Sequence, residues 1–100
     1  MIITLDTLIS IPDGVYTQEI GDETILLDTQ GGNYFGLDPV GTHMWQLIRQ
    51  RGALRPAYDV ILTEYNVAPE RLEADLLALA DKLVEKGLVV IQTARGPFEK

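Results

Sequence analysis

Apolar and polar residues alternate in short runs along the first third of the chain, which predicts strands. Residues 15–20 (VYTQEI), 24–28 (TILLD) and 33–37 (NYFGL) each read as one strand. Gly21-Asp22 and Gln30-Gly31-Gly32 separate them, and glycine adopts the positive φ of tight turns at little cost. These runs therefore predict a three-stranded antiparallel meander.

From residue 38 onwards the apolar spacing is helical. Asp38 is a suitable N-cap and Pro39 a suitable first residue for a helix that Gly52 ends. The elements predicted after it are a helix over 55–65, a helix over 69–86 that Gly87 stops, a strand over 88–92 and a frayed tail over 94–100. The predicted fold class is α+β: a winged helix-turn-helix-like domain in which three α-helices follow the β-meander.

Length and composition indicate one globular domain over residues 1–100. The apolar fraction is 46%, and the absence of cysteine excludes disulfides, thiolate catalysis and cysteine metal sites. No apolar run reaches the roughly 20 residues of a membrane span. The N-terminus carries Asp6 and no basic residue, which is a poor signal peptide, so we expect a cytoplasmic protein.

The net charge of -7 lies in the N-terminal half. Residues 1–48 contain seven acidic residues and no lysine or arginine, whereas residues 49–100 contain eight of each sign. This charge either serves solubility or favours a basic partner, and it opposes contact with nucleic acid and anionic membranes.

The sequence offers little chemistry. His43 is the single histidine, and no motif supplies it with a nucleophile or an acid. The aspartate and glutamate residues are scattered along the chain, which does not predict a metal site. Gly31-Gly32 joins two strands and does not open a phosphate-binding helix. We therefore expect a protein that is not an enzyme and has no cofactor.

The winged-helix outline raises DNA binding as an alternative. The third helix, however, carries three basic residues against five acidic ones. A recognition helix needs arginine, lysine or amide side chains on its exposed face, and the acidic chain lacks the counterion-release term that drives DNA affinity.

Two features allow either a structural or a binding interpretation. The strand 33–37 is a short sheet edge, which either ends the sheet or accepts another extended chain. Tyr34 and Phe35 are adjacent in it, so their side chains point to opposite faces. Beside the apolar stripe of the third helix lies a flank that is either a solvated face or a second contact surface; its members are Arg71, Asp75, Ala78 and Lys82.

Two stretches of the sequence resemble PqqD-like proteins, the RiPP recognition elements of ribosomally made, modified peptides. These are ILLDTQGGNYFGLDPVGTHMWQLI, with its glycine turn, aromatic pair and Asp-Pro-x-Gly, and RLEADLLALADKLVEKGLV, with its Gly-Leu exit. The resemblance covers about 11–92 and is greatest to the stand-alone B1 type of lasso-peptide clusters. Ala68 stands where relatives have an Asp-type cap, which predicts a weaker helix start by ~1 kcal/mol.

The resemblance implies a binding role and assigns residues to it. Such a domain binds the leader of a precursor peptide as a strand added to its third strand, in a groove against its third helix, and presents it to a separate leader peptidase (B2-type). The runner-up is the peptide chaperone of pyrroloquinoline quinone synthesis, which serves a radical SAM enzyme. A homodimer through the strand edge is a further possibility. Carried onto this chain, the peptide-binding residues are Asn33, Tyr34, Phe35, Gly36, Leu37, Arg71, Leu72, Asp75, Leu76, Ala78, Leu79 and Lys82, with Leu72 and Leu76 as the floor.

Overall fold

The computed structural model describes residues 3–92, and it confirms a small α+β fold in which antiparallel strands precede three helices. The elements are β1 (Leu8–Ser10), β2 (Val15–Ile20), β3 (Glu23–Asp28), β4 (Tyr34–Leu37), α1 (Pro39–Arg51), α2 (Arg55–Glu64), α3 (Pro69–Glu85) and β5 (Val90–Gln92). The tail over 94–100, predicted to fray, lies outside the described residues. No helix within 3–92 has the length and apolarity needed to cross a membrane.

The strands form two separate sheets. The larger has the order β2-β3-β4 with antiparallel pairing throughout, so β4 lies at one of its edges. The smaller pairs β1 with β5, opposite ends of the described chain, with Ile9 facing Ile91. The sequence prediction had no second sheet and no partner for the last strand, because three-residue strands carry almost no local signal.

The larger sheet has two faces of different character. Thr24 and Leu26 of β3 are buried against the helices on what we call the inner face. Ile25 and Leu27, which alternate with them, are 40% and 41% exposed on the outer face. The helices thus cover one side of this sheet and leave the other open.

The core lies between the inner face and the three helices. Its largest fully buried side chains include Trp45 and Ile48 of α1, Ile61 of α2, and Leu76 and Leu83 of α3. Burying an aliphatic side chain of this size contributes about 1.5–3 kcal/mol. Because α1 and α3 both insert into this core, their positions relative to the sheet are fixed by packing.

The helix ends follow their capping residues. Asp38 caps α1 by accepting a hydrogen bond from the Gly41 N–H at 2.7 Å, and Gly52 ends it at a φ of 71°. Ala68 provides no side-chain cap for α3, as expected from its sequence. Gly87, at a φ of 75°, ends α3 in a Schellman motif, in which the Leu88 N–H donates to the Leu83 carbonyl at 2.9 Å.

Candidate functional site

The free edge of β4 presents unpaired backbone groups. The Asp28 N–H donates to the Asn33 carbonyl at 2.8 Å at the start of the β3–β4 ladder. Hydrogen-bonded and non-bonded pairs alternate along an antiparallel ladder, so the backbone groups of Phe35 and Leu37 point towards β3. Those of Tyr34 and Gly36 then point outwards, and within residues 3–92 no strand pairs with them.

A groove lies directly beside this edge, on the inner side of the sheet. It has a volume of about 450 Å³ and runs between β4 and α3, with the first turns of α1 as its floor. The lining is mainly apolar and consists of Phe35, Gly36, Leu37, Asp38, Val40, Gly41, Met44, Asp75 and Leu79. An extended chain paired with β4 would therefore place every second side chain in an apolar groove.

The two aromatic residues of β4 lie on opposite faces, as their adjacency predicted. Phe35 is half-buried and forms part of the groove wall. Tyr34 is 71% exposed on the outer face, in one row with Leu27 and Tyr16. Phe35 is thus the aromatic residue of β4 whose side chain faces the groove.

The opposite wall comes from two residues of α3. Leu79 is half-buried and supplies apolar surface, while Asp75 is exposed and supplies a carboxylate. Arg71 lies one turn before Asp75 and forms an ion pair with it, with 3.4 Å between Nε and Oδ2. The structure therefore places Asp75 and Leu79 in the groove wall, and Arg71 contacts this wall through its ion pair with Asp75.

The other predicted residues lie elsewhere. Leu76 is fully buried, and Leu72, 2% exposed, lines a separate cavity of about 210 Å³ next to Met44 and Asp75. Neither residue is in the groove lining: Leu76 is part of the core, and Leu72 borders the cavity that shares Val40, Met44 and Asp75 with the groove. Ala78 and Lys82 are exposed on α3 outside the lining. Asn33 precedes β4, and its side chain binds the Lys86 carbonyl.

The floor of the groove was missed from the sequence. It comes from α1, through Val40, Gly41 and Met44, next to the capping residue Asp38. The helical spacing assigned Val40 and Met44 to an apolar face, but it did not show that this face continues past the core. Val40 is 37% exposed and Met44 only 6%, so the same face serves both the core and the groove.

The chemistry near the groove is that of binding groups. His43 Nδ1 lies 3.3 Å from the Tyr65 hydroxyl and 3.8 Å from a Glu64 oxygen, contacts that join α1 to the end of α2. Within residues 3–92, no group of three histidine or carboxylate side chains is arranged to hold a metal ion. What the groove offers is backbone hydrogen bonds, apolar surface and two carboxylates, those of Asp38 and Asp75.

An open strand edge beside an apolar groove is one arrangement by which proteins bind extended peptides. Comparison with known proteins identifies the family. The family model described as coenzyme PQQ synthesis protein D (PqqD) matches residues 23–89. This chain therefore belongs to the PqqD family. The match spans all the elements that form the groove, from β3 through α3.

Two solved structures are similar to this chain. One is TbiB1 in complex with the TbiA(beta) leader peptide, with 34% identity and a TM-score of 0.75, covering 87% of this chain and 99% of that one. The other is a lasso peptide synthetase B1 complexed with the leader peptide, with 21% identity and a TM-score of 0.74, covering 82% and 96%. The second likeness shows the fold. No curated protein matches this sequence.

Proposed function

We propose that this protein binds the leader segment of a ribosomally synthesised precursor peptide of the lasso type. The leader adds as an antiparallel strand to the free edge of β4 and inserts side chains into the groove against α3. The observation that carries this proposal is the juxtaposition of the open backbone groups of Tyr34 and Gly36 with the apolar groove. TbiB1, a 34% identical relative solved with a leader peptide, supports it.

Affinity and selectivity then come from different groups. Backbone hydrogen bonds to β4 contribute about 0.5–1.5 kcal/mol each and accept any extended sequence except proline at a donor position. An apolar leader side chain buried against Phe35 and Leu79 contributes about 1.5–3 kcal/mol, which makes the buried anchors the source of selectivity. An aromatic or proline side chain suits this mainly apolar lining.

The binding is non-catalytic, and the domain over residues 1–100 delivers the leader to a separate leader peptidase. The winged-helix-like order of strands and helices serves here to hold a peptide rather than DNA. An alternative within the family is a peptide chaperone for a radical SAM enzyme, which the description of the matching family model favours. The two differ in the precursor that is bound, not in the groove.

The test is fluorescence anisotropy with labelled synthetic peptides. One set spans the leader and core segments of the precursor encoded beside this gene, and a second is the TbiA(beta) leader peptide. We expect micromolar or tighter binding to a leader and none to a core segment. Binding to no leader, or equal binding to leader and core, would overturn the proposal.

A further inference from the structure

A second depression lies at the end of the sheet formed by Ile20, Glu23 and Leu37, and most of its lining residues belong to the outer face. Its volume is about 390 Å³, and its lining residues are Ile20, Glu23, Thr24, Ile25, Gly36, Leu37 and Asp38. The register puts Gly36 opposite Ile25 and Ile20 opposite Glu23, so these four residues share the outer face. The groove and this depression share three lining residues, Gly36, Leu37 and Asp38.

The depression reaches the strand edge through Gly36. A Cβ built on this glycine meets no atom within 4 Å, which leaves a gap in the outer face. In a strand added to β4, the residue paired with Gly36 points to the outer face at a Cα separation of about 5.5 Å. Its side chain therefore leans across the bare Gly36 towards Ile25, with no β4 side chain in between.

The lining residues of the depression indicate which kind of leader side chain fits there. Ile20 and Ile25 are 58% and 40% exposed and form an apolar floor, while the exposed carboxylates of Glu23 and Asp38 lie at the rim. Asp38 uses Oδ1 to cap α1, which leaves Oδ2 for another donor. An apolar floor with an acidic rim complements a methylene chain that ends in a positive charge. Residues 1–48 contain no lysine or arginine that would neutralise this rim.

We infer that this outer depression receives a lysine or arginine side chain of the bound leader, paired with Gly36. The inference rests on the proposed leader binding and extends it to a second specificity position. Since side chains alternate along a strand, the basic residue is separated from a groove anchor by an odd number of positions. The protein then contacts both faces of the bound leader strand, through the apolar groove on the inner face and through the acidic rim of the depression on the outer face.

The experiment is a positional scan of a defined peptide. The TbiA(beta) leader is synthesised with lysine at each position in turn, and with norleucine at the same positions as a matched side chain without the charge. Anisotropy titrations at low salt should show one position where lysine binds at least fivefold tighter than norleucine. This advantage should disappear in Glu23→Gln and at about 1 M salt, where the screening length falls to about 3 Å.

Two variants separate the depression from general electrostatics. Asp13→Asn removes an equal charge from the turn at the far end of β2, and it should leave the lysine advantage unchanged. Gly36→Val fills the gap with a side chain that suits a strand, and it should abolish the advantage of lysine over norleucine. If the peptides bind but lysine has no advantage at any position, or if Glu23→Gln leaves the advantage intact, the inference about the depression is overturned and the proposed function is not. Absence of binding by every peptide would overturn the proposed function with it.

Discussion

The side-chain amide of Asn33 donates a hydrogen bond of 3.0 Å to the backbone carbonyl of Lys86. Asn33 precedes β4, and Lys86 is the C-cap of α3, so this bond joins the two walls of the groove. It also satisfies one of the carbonyls that the end of a helix leaves free. The contact links residues that are 53 positions apart, the residue before β4 and the C-terminal end of α3.

Asn33→Ala tests this contact. We expect the free energy of unfolding to fall by about 1 kcal/mol, the usual contribution of one hydrogen bond, and leader affinity to fall as the walls separate. Urea unfolding and anisotropy titration measure the two effects. Gln50→Ala removes an exposed amide from α1 and serves as the control. If the leader affinity of Asn33→Ala is unchanged, packing alone determines the width of the groove.

Charge and bulk introduced on the α3 wall should block the groove. Asp75→Lys reverses its carboxylate and breaks the pair with Arg71, and Leu79→Arg places a charge on its apolar surface. We expect each to weaken leader binding about tenfold or more, which corresponds to about 1.4 kcal/mol.

Matched controls lie on the same helix outside the groove. Asp81→Lys makes the same charge change at an exposed residue, and Leu77→Arg changes a half-buried leucine that is not in the groove lining. Circular dichroism checks that all four variants fold. If the controls weaken binding as much as Asp75→Lys and Leu79→Arg, or if neither of those variants weakens it, the groove assignment fails.

The strand-addition geometry predicts a selective effect of proline in β4. Tyr34→Pro removes an N–H that points to the open edge, so it costs the fold no bond to β3, and proline is tolerated as the first residue of an edge strand. We expect the leader to bind several-fold more weakly, from the loss of one hydrogen bond of about 0.5–1.5 kcal/mol. Tyr34→Ala keeps the N–H and should retain more affinity; equal losses would argue against pairing at this position.

The α3 start can be strengthened without touching the groove. Ala68 has an extended backbone and no capping side chain, so Ala68→Asp adds an acceptor for the free N–H groups of the first turn. We expect unfolding to become harder by about 1 kcal/mol, seen as a higher Tm, with leader affinity unchanged. A lower Tm would show that another group already caps this end.

Much of this fold was predictable because its signals are local. The bounds of β2, α1 and α3 follow from alternation, an Asp-Pro start and a glycine stop, and the structure places them within one or two residues of the prediction. The β1–β5 sheet was not predictable in this way. Its pairs, such as Ile9 with Ile91, join distant residues, and only the folded chain brings them together.

The groove was predicted in part for a similar reason. Strand alternation separates Phe35 from Tyr34, and a helical wheel puts Asp75 on the flank beside the apolar stripe of α3. Leu79 was assigned to the same wall by the family resemblance, and both residues line the groove. The resemblance assigned Leu76 to the groove floor, but the apolar stripe that contains Leu76 faces the core, and the residue lies fully buried. The floor from α1 depends on how that helix packs across the sheet, which no periodicity reports.

One acidic residue of the N-terminal half is paired in the fold. Arg55 donates two hydrogen bonds to Asp6, at 3.0 and 3.1 Å, and these bonds, with the charge of Arg55, lower the pKa of the Asp6 carboxyl from its ordinary value of 3.8. A carboxylate whose pKa is lowered on folding stabilises the folded state above that ordinary value. The contribution disappears as the pH falls through the lowered pKa.

We therefore predict that the difference in Tm between the wild-type protein and Asp6→Asn depends on pH. At neutral pH the variant should unfold at a slightly lower Tm, since an exposed pair contributes little. The difference should vanish once the pH is below the pKa of folded Asp6. A constant difference at every pH would assign the effect to lost packing instead of charge.

The central claim is that a peptide pairs with the free edge of β4, and amide hydrogen exchange tests it most directly. In the free protein, the N–H groups of Tyr34 and Gly36 face outwards and should exchange rapidly, whereas that of Phe35 is bonded to β3. Saturation with a leader peptide should slow the exchange of the Tyr34 and Gly36 N–H groups by at least tenfold and change the exchange rate of the Phe35 N–H far less. A leader that binds tightly and leaves the exchange of Tyr34 and Gly36 unchanged would contradict strand addition.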